Sequence, residues 1–357
     1  MAALFRRVPS LICYWKAGEL VLENYLSGKR VTGDPLVFTL LNFFGEWKPI
    51  EDLFAHQPEY SRGSLRKAVA ELVKYSLLER KARGQRNPLK SWEEWNPAAG
   101  FFHFSTKDVP ISTGPEAERK FLRLRAEKAP MPVAVKHYAR ARKYVLPATA
   151  KQGELPGVLL SRRTWRKFSS RPLSLSHLAT LLGLTWGVQT WIDFPYGRQA
   201  LKTSPSGGAR HPVEVYVLAS RVEGLPRGIF HYAADRHCLE FLRPGCDARQ
   251  ISSLLAGQKY FSGAAAVFFM TAVFARTQWK YPSARAYRVV QLDAGHLCQT
   301  FCLVATWLGL GPFSTAAFND TLIEKTLGID GINESVIYAA GVGHRPKGKA
   351  DSSPRGE

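Results

Sequence analysis

The spacing of apolar residues changes along this chain, and each change marks a different kind of element. Leu11 to Trp15 and Glu19 to Leu22 read as short strands, with Ala17-Gly18 as the turn between them, and Gly28 and Gly33 punctuate the stretch leading to residue 34. The period then becomes helical. Asp34-Pro35 predicts a helix start, Asp as the cap and Pro at the first helical position. Leu36, Val37, Leu40, Leu41 and Phe44 give it one apolar face, and Gly45 ends it. A second helix is expected from Pro49, with Ile50, Leu53 and Phe54. A third is capped by Ser61 or Ser64 and carries Leu65, Ala68, Val69, Leu72 and Val73. Leu77 to Arg80 leaves it as a wing strand. Strands, three helices and a wing predict a winged-helix-like module over residues 1–85.

Residues 86–154 are less regular and read as an aromatic and basic connecting segment. Trp92, Trp95, Phe101, Phe102 and Phe104 are too aromatic for a free linker and are expected to pack on a neighbouring domain. Glu116 to Lys128 is a charged helix, and 130–150 is a basic, proline-bounded stretch expected to wrap the surface. Helix and strand signals then alternate over 155–346. Leu175 to Leu184 is a helix behind a Ser174 cap. Val213–Leu218, Gly228–Tyr232, Ala265–Phe274 and Glu334–Val342 are strands. Arg288 to Leu308 is a long helix whose expected buried side is Val289, Leu292, Leu297, Phe301, Val304 and Leu308. The pattern predicts an α+β, three-layer domain, with a disordered tail after it at 347–357.

A length of 357 residues suits two or three domains, and a hydrophobic content of 45% suffices for a real core. No apolar run reaches the roughly 18 residues of a membrane span, and the N-terminus lacks the pattern of a signal peptide. The cysteines, Cys13, Cys238, Cys246, Cys298 and Cys302, are odd in number and include no CxxC pair. They read as small apolar residues in a reducing cytoplasm, with no metal set. The net charge of +20 implies an acidic partner, but the basic residues are dispersed rather than gathered in one stripe. An acidic peptide or protein fits as well as nucleic acid.

Four segments carry candidate chemistry. In Lys202 to Pro212, small residues and the adjacent Gly207 and Gly208 let the backbone approach something flat or anionic; a plain turn before a strand is the alternative. In Ser161 to Phe168, arginines and the Thr164 hydroxyl suit a phosphate, because guanidinium is a rigid fork of donors; a solvated basic face is the alternative. Leu308 to Phe313 places Gly309 and Gly311 just past the long helix, where Gly309 stops it and Gly311-Pro312 suggests a shaped loop under a ligand. Ala340 to Arg345 ends a strand on an arginine able to close a phosphate site.

These segments, in this order, resemble the flavin-dependent nitroreductase superfamily. More narrowly the chain is similar to the SagB-type azoline dehydrogenases of thiazole- and oxazole-forming (RiPP natural-product) pathways. The narrow likeness rests on SPSGGARHPVEVYV at Ser204–Val217, KYPSARAYRVVQLDAGH at Lys280–His296 and SWEEWNPAAGFFHFSTKD at Ser91–Asp108. The resemblance implies a nitroreductase-like FMN-binding fold, a central mixed sheet flanked by helices, in an intertwined homodimer. It implies FMN as cofactor, with Arg162, Arg163, Thr164 and Arg166 in the first flavin motif and Pro205, Ser206, Gly207 and Gly208 along the isoalloxazine. It also places Gly309 and Gly311 at the ring face and Arg345 at the phosphate end. Ala209 and His211 stand where ordinary nitroreductases carry Asn and Gln, which weakens a reading as a simple nitro- or quinone reductase.

Azoline oxidation removes a hydride, which the flavin takes, and a carbon-bound proton, which needs a base. The resemblance gives this role to Lys280, assisted by Tyr281, provided that burial lowers the lysine's pKa; a surface loop lysine is the alternative. Asp293 and His296, three apart on the long helix, read as a helix-internal or dimer-interface hydrogen-bonding pair outside the catalytic set. The implied activity is an FMN-dependent azoline dehydrogenase on a peptide substrate, with cyclodehydratase proteins as partners. An FMN oxidoreductase of another natural-product intermediate is the nearest alternative. The N-terminal module could capture a peptide by strand addition, only pack against other domains, or bind nucleic acid as part of an inactive flavin fold.

Overall fold

The structure is a computed structural model. It describes residues 3–346 except 34, 83, 85, 110–114, 130, 132–133, 137–142, 144–145, 196, 246 and 262. The expected Asp34 cap, much of the basic 130–150 stretch, Cys246 and the 347–357 tail lie outside the described residues. The chain forms two compact units, one of residues 1–107 with 278–288, the other of 108–277 with 289–357. None of the described helices is long and apolar enough to cross a membrane.

The elements of the first unit are β1 (Leu4–Arg7), β2 (Leu11–Lys16), β3 (Glu19–Asn24), β4 (Lys29–Thr32), α1 (Pro35–Phe43), β5 (Lys48–Pro49), α2 (Ile50–His56), α3 (Arg62–Lys74), β6 (Leu78–Arg80) and α4 (Ala98–Ser105). Two antiparallel three-stranded sheets, ordered β5-β1-β6 and β2-β3-β4, share a core with the helices. Leu22, Leu40, Phe44, Leu53, Leu65, Val69 and Leu77 are among its buried members. Ser61 caps α3, its hydroxyl accepting from the Ser64 N–H at 3.1 Å. The aromatic run 91–104 belongs to this unit: Trp92 and Trp95 are fully buried and meet edge to face at 5.9 Å.

The second unit contains α5 (Pro115–Lys128), α6 (Glu154–Ser161), α7 (Leu175–Thr185), β7 (Thr190–Phe194), β8 (Gly197–Leu201), β9 (Val213–Ala219), β10 (Gly228–Ala233), β11 (Cys238–Pro244), α8 (Ala248–Leu254), β12 (Ala266–Val273), α9 (Phe274–Gln278), α10 (Ala286–Trp307), β13 (Leu310–Thr315), α11 (Asp320–Leu327) and β14 (Glu334–His344). A six-stranded sheet runs β11-β10-β9-β12-β14-β13. Its ladders are antiparallel, and the parallel pairing is an isolated bridge between Leu173 and Val222. Alternation along β9 sends Val213, Val215 and Val217 to one face, against Leu181 of α7 and Phe301 of α10. Tyr216 and Leu218 go to the other face, with Ile251 of α8 and Ile323 of α11. The result is the α+β, helix–sheet–helix arrangement.

Three expectations need correction. Leu292 is 60% exposed, because the core phase of α10 runs Val290, Ala294, Leu297, Phe301 and Ala305 and puts Leu292 outside that stripe. Gly311 and Pro312 are not a loop but part of β13, at the sheet edge where a missing N–H is tolerated. Cys13 and Cys238 are exposed; Cys298 and Cys302 are the buried pair.

Candidate functional site

Three of the four predicted segments converge on Trp165. The 162–168 segment leaves α6 in extended form, and its Trp165 N–H donates to Pro312 O at 2.9 Å. Trp165 is buried because Gly311 leaves room for it: a Cβ there would stand 2.9 Å from the indole Cγ. Gly343 plays the same part for Phe168, with a Cβ-to-ring distance of 2.8 Å. Gly309, at φ +72, turns the chain from α10 into β13.

Arg345 stacks over Trp165 at 5.2 Å, and its Nε donates to Leu310 O at 2.9 Å. Its Nη2 also faces Thr306 O, at 3.5 Å, near the end of α10. Desolvation holds its pKa below the usual arginine value. Arg163 donates to Leu160 O at 2.9 Å, capping the helix before it. Thr164 and Arg166 are exposed and Arg162 is half-buried.

The fourth segment, Pro205–Gly208, is tied to the middle of α10. Asp293, 3% exposed, accepts from the Ser206 hydroxyl at 2.5 Å and from the Gly207 N–H at 3.2 Å. Burial pushes its carboxyl pKa up against the pull of these two bonds. His296 Nδ1 lies 3.2 Å from Pro205 O, and the hydroxyls of Ser204 and Thr300 are 2.7 Å apart. Gly207 is pressed on the same helix, so that a Cβ would meet Val289 Cγ1 at 2.3 Å. Asp293 and His296, expected to pair within the helix or at a dimer interface, instead each bond the 205–207 loop. Their spacing was visible, but their partners lie some ninety residues away in sequence.

Beyond the glycines the loop meets a polar cluster that carries no motif in the sequence. Glu214 on β9 forms a very short ion pair with Arg276 of α9 and lies 3.2 Å from His231 Nε2. His231 Nδ1 lies 2.8 Å from Glu240. Burial, then the charge of Lys202, pushes His211 down to about 4, so its imidazole is neutral at pH 7. The Lys202 ammonium is itself lowered, mainly by desolvation.

Lys280 and Tyr281 lie in the other unit. The ammonium stands 5.7 Å from the Tyr281 ring, and Lys280 is exposed, so this chain's packing does not supply the burial expected of a base. The segment around them is firmly held. Trp95 Nε1 donates to Tyr281 O at 3.0 Å, and His103 Nδ1 meets the Tyr287 hydroxyl at 2.9 Å.

With this geometry in view, the Nitroreductase family model matches residues 159–344, more than half of the sequence, and the chain belongs to that family. The Methanocaldococcus jannaschii protein MJ1384, which carries a nitroreductase name, is 33% identical over 49% of this chain and 85% of its own length. Trifolitoxin-processing protein TfxB of Rhizobium leguminosarum bv. trifolii is 32% identical over 47% of this chain, a match spanning only 46% of TfxB. In fold, the chain is similar to one in the E. coli microcin synthetase McbBCD complex with truncated pro-MccB17 bound. The TM-score is 0.51 at 18% identity, covering 74% of this chain and all of that one.

Proteins of this fold typically bind FMN. The donor set here fits such an anionic, planar group. Arg162 and Lys202, both half-buried, have no carboxylate within ion-pair distance among the described residues, and the Glu214 charge only partly offsets the desolvation of Lys202. Half-buried cations of this kind are stabilised by an anionic ligand.

Proposed function

We propose that this protein is an FMN-dependent dehydrogenase that oxidises azoline rings to thiazoles or oxazoles in a peptide. The observation that carries the reading is the grip of Trp95 and His103 on the 280–287 segment. Residues 91–108 lie outside the family-wide match at 159–344. They engage the stretch that bears Lys280-Tyr281, and these are two of the three stretches on which the narrower resemblance rests. TfxB, by its name a toxin-processing protein, and the synthetase complex with truncated pro-MccB17 support a peptide substrate.

FMN, when bound, supplies the acceptor for the hydride. The chain's residues do the rest. Arg162 and Arg166, with the Thr164 hydroxyl, hold the phosphate, with Arg163 and Arg345 fixing the chain around them. Pro205 to Gly208 would border the ring, with Gly309 turning the chain beside it and Gly311 seating Trp165, and Lys280, with Tyr281 beside it, would take the carbon-bound proton. The exposed Leu292 and Trp307 on α10 support a homodimer, in which a second copy would cover them. Residues 1–85, read as a winged-helix-like module, would serve peptide capture and contact with partner proteins.

The test is the visible spectrum of the purified protein with mass analysis of any released chromophore, and then the Lys280→Ala variant on a thiazoline peptide. Flavin bands, released FMN and turnover slowed on the order of 100-fold or more in the variant support the assignment. A protein that neither carries nor takes up FMN refutes the cofactor. A variant with wild-type turnover refutes the base.

A further inference from the structure

The backbone just past Gly208 adopts a conformation that its residues do not favour. Ala209 and His211 both sit at positive φ, +51 and +43, without being glycine. Left-handed backbone is disfavoured at such residues and persists only where the surroundings fix it. The surroundings here are specific. Gln199 Nε2 of β8 donates to Gly208 O at 2.5 Å and to Ala209 O at 3.2 Å. The Ser206 hydroxyl accepts from the His211 N–H at 2.9 Å. Arg276 Nη1 donates to His211 O at 3.1 Å, while its Nη2 pairs with Glu214, and Arg210 Nε donates to Arg276 O at 2.9 Å.

We propose that Arg276 is a positioning residue for the flavin-contacting loop, bridging the Glu214 carboxylate to the main chain of His211 and so fixing the curvature of residues 204–211. This rests on the assignment of that loop to FMN under the proposed function. The bridge needs two donors in one rigid plane, one for each acceptor, which guanidinium provides and ammonium does not. Glu214 is itself held, 18% exposed, by His231 from β10, and Glu240 of β11 braces that imidazole. Arg276 also lies four residues upstream of Lys280, so the residue that sets the loop belongs to the short helix leading into the proposed base.

Arg276→Lys and Arg276→Ala separate this role from a plain charge contact. Two readouts are taken: amide hydrogen exchange at residues 209–211 in flavin-free protein, and the FMN dissociation constant from quenching of flavin fluorescence. In both variants, exchange at 209–211 is expected to speed up, and FMN to bind more weakly, each on the order of ten-fold, the scale of one charge-assisted hydrogen bond. Exchange in β9 and β12 should stay slow, which shows that the sheet is folded. Wild-type behaviour of Arg276→Lys in both readouts overturns the bridge. Faster exchange with unchanged FMN affinity overturns the positioning role while leaving the cofactor assignment standing. Wild-type protein that binds no FMN overturns the cofactor assignment, and the positioning role falls with it.

Discussion

His231 ties the stability of the second unit to pH in a direction that can be worked out in advance. Its imidazole is raised from 6.5 to about 9, first by the hydrogen bond to Glu214 and then by Glu240, against an opposing desolvation. Its side chain is 22% exposed, so solvent screens the pair only in part. A group with a raised folded-state pKa contributes stability that is complete below its unfolded value, near 6.5, and lost as the pH climbs through about 9. The difference corresponds to about 3 kcal/mol at most. The perturbation is His231→Gln, which keeps a hydrogen-bonding side chain but cannot titrate. Urea unfolding from about pH 6 to about pH 9.5 is expected to show the wild-type protein losing roughly 2–3 kcal/mol more than the variant across that range. Comparing the two proteins cancels the shared groups that His231 does not contact. Parallel stability curves, or an imidazole that titrates near 6.5 by NMR in the folded protein, would refute the reasoning.

Two further substitutions test the loop tether and the glycine strands. Asp293→Asn keeps one acceptor for Ser206 and Gly207 where the carboxylate offers two. It is expected to destabilise the protein by about 1–3 kcal/mol in denaturant and to weaken FMN retention on gel filtration; unchanged values for both contradict the tether. Gly343→Ala drives a methyl to 2.8 Å from the Phe168 ring, in a layer closed by β14 and β13. A fall in melting temperature of roughly 2–10 °C is expected by calorimetry, and no change would mean that Phe168 has somewhere else to go.

The elements that the sequence showed plainly are those whose apolar period is set by burial on one face or on both. Strand β12 is buried nearly throughout, and α3 places Leu65, Val69 and Leu72 one turn apart, so both were legible from pattern alone. Strands β7 and β8 were not, because every residue of β7 is exposed and no alternation marks its faces. The strand β11 escaped for the same reason. For β13 the signal was misleading: Gly311-Pro312 carries the composition of a loop, and only the edge position and the Trp165 ring explain it as strand. The four candidate segments stand out in the sequence by their glycines and arginines. Arg276 and Glu214 do not, since a charged residue on a strand and another on a five-residue helix carry no local sign of being partners across 62 positions of sequence.

The order of the motif segments makes physical sense once α10 is taken as the spine of the second unit. Asp293, His296 and Thr300 fall at intervals of three and four, so their side chains line one face of the helix. All three reach the 204–207 stretch. Two turns further on, Thr306 O meets Arg345, which stacks on Trp165 between the arginines of the 162–166 segment. At about 1.5 Å per residue, the tether residues 293–300 and the Thr306 carbonyl that meets Arg345 are thereby set roughly 10–20 Å apart along one rigid rod. Each end is fixed by side chains that reach main-chain atoms, as His296 does with Pro205 O and Arg345 with Leu310 O. A ligand with a planar ring at one end and a phosphate at the other would need the two ends held at a constant separation. A single continuous helix does that with fewer moving parts than two loops tied directly to each other.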